Sequence, residues 1–223
     1  MPAGNPDFVT SDPDGMWATG HYVVHNNMWN ASGYDVTQTL RACSAGNWKV
    51  TARSDDSAGD GAVKTYPNVH RDFHDWSTGH EPRLRSFTSI RSTFASRSPH
   101  VGIYDGAYDI WLTGVPGDRE VMIWTDNHRQ VPAGSVVKRG LTFSHLTWRL
   151  YAGNNGSILS YVPNKPLGHG SIKIKQRLTY LVHHRYLPRR STLGQVCFGY
   201  EIVSTKGSPA TFKVDRFSVT SKR

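Results

Sequence analysis

Turn-forming residues punctuate this 223-residue chain so closely that few regular elements can run long. Gly46-Asn47, Gly59-Asp60-Gly61, Pro116-Gly117-Asp118, Pro132-Ala133-Gly134 and Gly153-Asn154-Asn155-Gly156 are turn signals. Between them lie short runs rich in β-branched and aromatic residues, at 21–30, 48–52, 84–94, 104–112, 121–125, 146–152, 157–162, 195–203 and 211–220. Many short strands joined by regular turns predict an all-β sandwich or barrel. One segment departs from this rhythm. Ile174, Leu178, Leu181, Val182 and Tyr186 recur at helical spacing between Gly170-Ser171 and Pro188, which predicts a single amphipathic helix.

With 37% hydrophobic and 11% aromatic residues the chain can close one sizeable core. A charged fraction of only 19%, with 21 Gly and 12 Pro, excludes a long helical rod. Residues 1–16, with Pro2, Gly4, Pro6, Pro13 and Gly15, read as a tail, and 17–223 as one domain. No apolar run reaches the roughly 18 to 20 residues that span a bilayer, so no membrane partner is expected. Lys and Arg outnumber Asp and Glu by 26 to 17, giving +9, a balance suited to an anionic partner. The basic side of the helix, with Lys173, Lys175, Arg177, His183, His184, Arg185, Arg189 and Arg190, is read as a solvated face rather than a nucleic-acid site. Cys43 and Cys197 are too far apart for a CxxC motif and form either one bridge or two buried thiols.

The acidic residues carry the chemical signal. Of the three Glu, Glu81 reads as an exposed loop position, whereas Glu120 and Glu201 sit inside apolar β runs. A carboxylate there is costly unless it is paired or faces a polar cleft. Residues two apart share a strand face, which groups Glu120 with Met122 and Trp124, Asp109 with Ala107 and Trp111, and His25 with Asn27 and Trp29. Each face sets an indole beside a hydrogen-bonding group, as a neutral oligosaccharide requires: rings stack on sugar C–H faces while polar groups take the hydroxyls. Paired carboxyl groups with separated pKa values are the apparatus of glycosidic bond cleavage. His70, His74 and His80 with Asp72 and Asp75 lack the HExxH pattern, so no metal is expected. Gly153 to Gly156 is not followed by the Lys-Ser or Lys-Thr of a phosphate loop, and no Gly-x-Ser-x-Gly elbow occurs.

Seven segments in order, Asn26-Asn-Met-Trp29, Val63-Lys-Thr-Tyr-Pro-Asn68, Ala107-Tyr-Asp-Ile-Trp111, Glu120-Val-Met-Ile-Trp124, Pro132-Ala-Gly134, Trp148-Arg-Leu-Tyr-Ala-Gly-Asn154 and Gly199-Tyr-Glu201, resemble the motifs of glycoside hydrolase family 12. The resemblance implies a concanavalin-like β-jelly-roll of two antiparallel sheets and a retaining, cellulase-type endo-β-1,4-glucanase that cleaves internal bonds of cellulose-like glucans. By the same resemblance Glu120 is the nucleophile, Glu201 the acid/base and Asp109 the partner that hydrogen-bonds the nucleophile. Asn27, Trp29, Met122, Trp124 and Pro132 would line the cleft. Departures fall at Asn30, Ala133 and Val203, where the family often has Gly, Ile and an aromatic residue. The resemblance further implies a β-glucan substrate, no cofactor, a monomer and an extracellular enzyme; since the family's usual signal peptide is absent, either the numbering begins at a mature or recombinant start or the protein is not exported. Alternatives are a xyloglucan- or mixed-linkage-specific enzyme of the same fold, or a non-catalytic polysaccharide-binding jelly-roll, which would not need two strand-borne Glu.

Overall fold

The computed structural model describes residues 5–74 and 80–223. Asp75, one of the acids considered with the histidines, lies outside the described residues. Two β-sheets stack face to face. With strands numbered in chain order, the six-stranded sheet runs β1 (Phe8–Thr10), β4 (Val36–Ser44), β5 (Asn47–Ser54), β15 (Ala210–Lys222), β7 (Ser89–Arg97), β13 (His169–Ile172). The nine-stranded sheet runs β10 (Ser135–Phe143), β11 (Leu146–Gly153), β12 (Ile158–Pro163), β9 (Gly117–His128), β8 (Ile103–Gly114), β14 (Leu193–Ser204), β6 (Asn68–Asp72), β3 (Tyr22–His25), β2 (Met16–Thr19). Among these named strands every pairing is antiparallel except β9 with β12.

Alternation along the central strands decides which side chains meet the other sheet. Tyr104, Tyr108, Ile110 and Leu112 of β8, Val121 and Ile123 of β9, and Val196, Phe198, Tyr200 and Ile202 of β14 all enter the core. There Phe198 meets Tyr108 and Phe94 at ring separations of 4.7 and 5.1 Å. The opposite residues of the same strands therefore face away from the core. Ala107, Met122, Trp124 and Val162 nevertheless form a second buried cluster on that side. Burial there requires other parts of the chain to lie against that face, as the Tyr66 hydroxyl does on Ala107 O at 3.1 Å, and this recesses the face as a groove.

The helix α1 (Ile174–His183) buries Ile174, Leu178 and Leu181 in the core, as its spacing predicts. Its basic face is not wholly solvated. Arg177 is buried, with its guanidinium 4.6 Å from the Trp148 ring centre and 4.7 Å from that of Phe143. An arginine can take a core position this way because its flat, weakly hydrated head stacks on aromatic faces.

Local chemistry accounts for other departures from the sequence reading. The tail contains a strand: β1 pairs with β4, Val9 opposite Arg41, and Phe8 stacks on Trp17 at 5.9 Å. Three residues between Pro6 and Pro13 give too short a pattern to read as a strand. The strand expected over 21–30 stops at His25, because Asn27 takes φ 42° and breaks the alternation. The run expected at 84–94 opens with a 3₁₀ turn, Leu84–Ser86, before β7. Glu81 is not an exposed loop residue. Its side chain is 5% accessible and accepts from the Gly114 N–H (3.0 Å) and the Thr192 hydroxyl (2.5 Å), tying its loop to the ends of β8 and β14. Cys43 lies in the six-stranded sheet and Cys197 in the nine-stranded one, and no bridge joins them.

Candidate active site

Three adjacent strands bring four carboxyl groups to one face of the groove. Strand β8 contributes Asp105 and Asp109, β9 contributes Glu120, and β14 contributes Glu201. Glu201 is directly opposite Asp105, while Asp109 pairs with Met122, the next groove-facing residue after Glu120. Asp105 and Asp109 are 0% and 3% exposed, whereas both Glu side chains reach the groove surface in part. The two Glu can therefore meet a ligand, and the two Asp support them from beneath.

The sequence makes this geometry possible through one close approach. A Cβ on Gly199 would sit 2.1 Å from the Pro67 carbonyl oxygen, so only glycine lets the 63–67 segment run against β14 beside Glu201. That segment is tied down by Lys64 N–H to Ile202 O (3.0 Å), Ile202 N–H to Thr65 O (2.9 Å) and the Tyr66 hydroxyl to Ala107 O (3.1 Å). Buried Lys64 adds Nζ to Val203 O at 2.9 Å.

Burial dominates the electrostatics. It pushes the Glu120 carboxyl up to about 8, with the Glu201 charge adding to the shift. Burial also raises Glu201, and the Asp105 hydrogen bond opposes that rise. Its neighbouring carboxylates are thus not what raises Glu201. Asp105 is held well above the carboxylate range by burial, then by the charge of Glu201 and its hydrogen bond, then by Asp109 and Glu120. Asp109 is raised by burial and by Glu120 and Glu201, with Tyr66 working against it. Neither Asp105 oxygen meets an N–H or hydroxyl donor. The group set opposite it across the strands is the Glu201 carboxyl, with which it interacts by charge and hydrogen bonding. Four such groups cannot all ionise together, so the groove holds protonated and ionised carboxyls side by side.

Other expected site residues fall into two groups. Met122 and Trp124 form the groove floor but are 5% and 2% exposed, packed with Ala107 and Val162. Trp124 is therefore a buried support rather than an open platform. Trp29 is the open indole, 64% exposed. It does not share a strand face with His25 and Asn27; it projects from a loop fixed by Met28 N–H to Pro13 O (2.8 Å), Asn30 N–H to Lys64 O (3.2 Å) and Tyr66 N–H to Asn27 O (2.9 Å). Pro132 is buried, and two residues on, Gly134 at φ 77° abuts the Ala152 carbonyl so closely that a Cβ would lie 1.9 Å from it. Asp109 Oδ1 has no hydrogen-bond partner, and it is the charge of Glu120 that acts on Asp109, helping burial to raise it. The histidines do not converge: His70 bonds Asn68 (3.1 Å), while His74 lies 3.7 Å from Glu81.

Asp105 is the residue that the sequence reading missed. The alternation that joins Asp109 to Ala107 and Trp111 also reaches back to position 105, and that step would have found it.

Known proteins resemble this arrangement along nearly the whole chain. The sequence profile of glycosyl hydrolase family 12 matches residues 20–222. A xyloglucan-specific endo-beta-1,4-glucanase A of Emericella nidulans is 28% identical over 225 residues, covering 92% of this chain and 89% of the relative. An Aspergillus aculeatus protein described in the same words is 26% identical, covering 94% and 91%. Among solved structures, the xyloglucanase domain of NopAA, a type three effector from Sinorhizobium fredii, in complex with cellobiose, superposes with a TM-score of 0.83 at 23% identity, covering 97% of this chain and all of that one.

Proposed function

This chain belongs to glycosyl hydrolase family 12, and from that membership and the chemistry of its groove we propose that it is a retaining endo-β-1,4-glucanase acting on xyloglucan. The observation that carries the mechanism is the pair Glu120 and Glu201, on strands that flank β8, both partly open to the groove and each acting on a common set of buried carboxyls. In the proposed reaction the ionised form of Glu120, whose share grows as the pH approaches the value of about 8 at which burial holds the carboxyl, attacks the anomeric carbon and forms a glycosyl ester. Glu201, carrying the proton that it shares with Asp105, gives it to the departing glycosidic oxygen. In the second step Glu201 takes a proton from water, and the water oxygen displaces Glu120 from the sugar.

Asp105 and Asp109 stay neutral beneath the glutamates. Asp105 acts as a positioning residue that holds the shared proton against Glu201. Trp29 offers the exposed ring on which a glucosyl unit stacks. A polymer substrate of this kind is met outside the cell, and an extracellular enzyme is part of the proposal. The choice of xyloglucan is supported by two curated relatives whose names specify it. Reducing-sugar release from xyloglucan, mixed-linkage β-glucan and carboxymethylcellulose tests the reading. Fastest release from xyloglucan is expected; release only from unbranched glucans would overturn the specificity, and release from none would overturn the activity.

A further inference from the structure

The proposed reaction on a neutral glucan gives no task to the basic charge, and that charge is unevenly placed. Between Asp126 and Glu201 the chain carries no acidic side chain, while eleven Lys and Arg fall in the same stretch. Where α1 ends, this stretch meets the start of β9 in a groove of about 420 Å³. Arg119, His183, Arg185 and Arg189 line it, with Tyr186 and Pro188 forming an apolar wall. Arg185 and Arg189 are exposed, and among the described residues no ion pair involves any of the three arginines.

A bland role at the helix end is already filled. Arginines in a last turn commonly cap free carbonyls. Here backbone N–H groups do so: His184 to Tyr180 O (3.0 Å), Arg185 to Val182 O (3.2 Å), and Tyr186 and Leu187 to Leu181 O (2.9 and 3.2 Å). Those carbonyls do not depend on the arginine side chains, and the arginines line the groove. Arg119 alternates with Glu120 along β9, so its side chain leaves the strand on the side opposite the catalytic face. The groove and the glucan cleft can therefore be occupied together.

We propose that this groove binds an anionic polysaccharide through its hexuronate carboxylates. Guanidinium forks match carboxylates in two-bond geometry, and the Tyr186 ring and Pro188 suit the C–H face of a sugar. The match is one of charge, several fixed cations against one carboxylate per sugar unit, and the choice of a polysaccharide rests on the proposed glucanase reading. Such a contact holds the enzyme on a composite matrix without occupying its catalytic cleft.

Binding of the whole protein to immobilised polygalacturonate, read at about 50 and about 200 mM NaCl, tests this. Beside the wild type stand the double variant Arg185→Gln/Arg189→Gln and a control of equal charge loss elsewhere, Lys206→Gln/Lys222→Gln. The groove variant should lose about tenfold in affinity and the control should not. Release of sugar from soluble xyloglucan should be equal in all three, which keeps a failure of the glucanase reading separate from a failure of this one. Equal losses in the two variants, no salt-sensitive binding by the wild type, or tighter binding to DNA or to phosphatidylserine vesicles than to polygalacturonate would overturn it.

Discussion

Replacing Glu120 by Gln should make the protein more stable, and increasingly so as the pH rises. The Glu120 carboxyl is held at about 8, against 4.5 for an ordinary glutamate, chiefly by burial and then by the charge of Glu201. A carboxyl raised in this way keeps its proton in the folded chain while the unfolded chain releases it. Stability is therefore intact below the unfolded value and is lost as the pH climbs towards the folded one. Between about pH 5 and about pH 8, linkage gives a loss of ~3.5 kcal/mol for Glu120 titrating alone, and roughly half that where its proton is shared among the four carboxyls. The amide has the same shape and cannot ionise, so it escapes the loss. For a chain of this size the gap corresponds to roughly 4 to 14 °C in Tm. Thermal unfolding followed by circular dichroism at about pH 5, 6.5 and 8 measures it. The variant should gain on the wild type at each step. A gap that stays constant, or narrows with pH, would refute the argument that burial holds this group protonated.

Asp105→Asn replaces an acid donor with a weaker amide donor, so Glu201 should rise further and the alkaline limb of the kcat/KM profile should move to higher pH; a limb that stays in place or falls contradicts the shared proton. Gly199→Ala puts a Cβ against the Pro67 carbonyl, and the backbone shift it forces should cost about 1 to 3 kcal/mol in denaturant unfolding and reduce kcat. Unchanged stability would show that the 63–67 segment yields freely. Trp29→Ala should raise KM for a soluble glucan about tenfold with little change in Tm, because the exposed ring contributes to binding rather than to the core; a lowered Tm with unchanged KM would contradict its role.

The sequence was legible where one pattern dominated. Alternation in Tyr108-Asp-Ile-Trp111 and in Glu120-Val-Met-Ile-Trp124 put these carboxylates and indoles on one face, and the structure keeps both groups on the groove side. The helix was legible because Ile174, Leu178 and Leu181 recur at its period. What escaped depends on long-range placement. The early strand ends at His25 because Asn27 turns left-handed to serve a contact with Tyr66, some forty residues away. Arg177 looks solvated in sequence and is buried because Trp148 and Phe143, from other strands, offer it ring faces. Glu81 looks like a loop acid and is enclosed because Gly114, at the end of β8, and Thr192, just before β14, supply donors from distant parts of the chain. Asp105 lies on the face that alternation assigns, whereas its partner Glu201 is set across the sheet, where no local pattern points.

The division of labour between the two glutamates is tested most directly by chemical rescue with azide on an activated aryl β-glucoside oligomer. In Glu120→Ala the attacking group is gone, so azide should enter the vacated face and give the α-glycosyl azide. In Glu201→Ala the nucleophile remains and a good leaving group departs without a proton, so the glycosyl-enzyme forms and azide should release the β-glycosyl azide. Opposite anomers from the two variants, resolved by NMR, are the predicted result. The same anomer from both, or near-normal glucan hydrolysis by either variant, would contradict the assignment of Glu120 as nucleophile and Glu201 as acid/base.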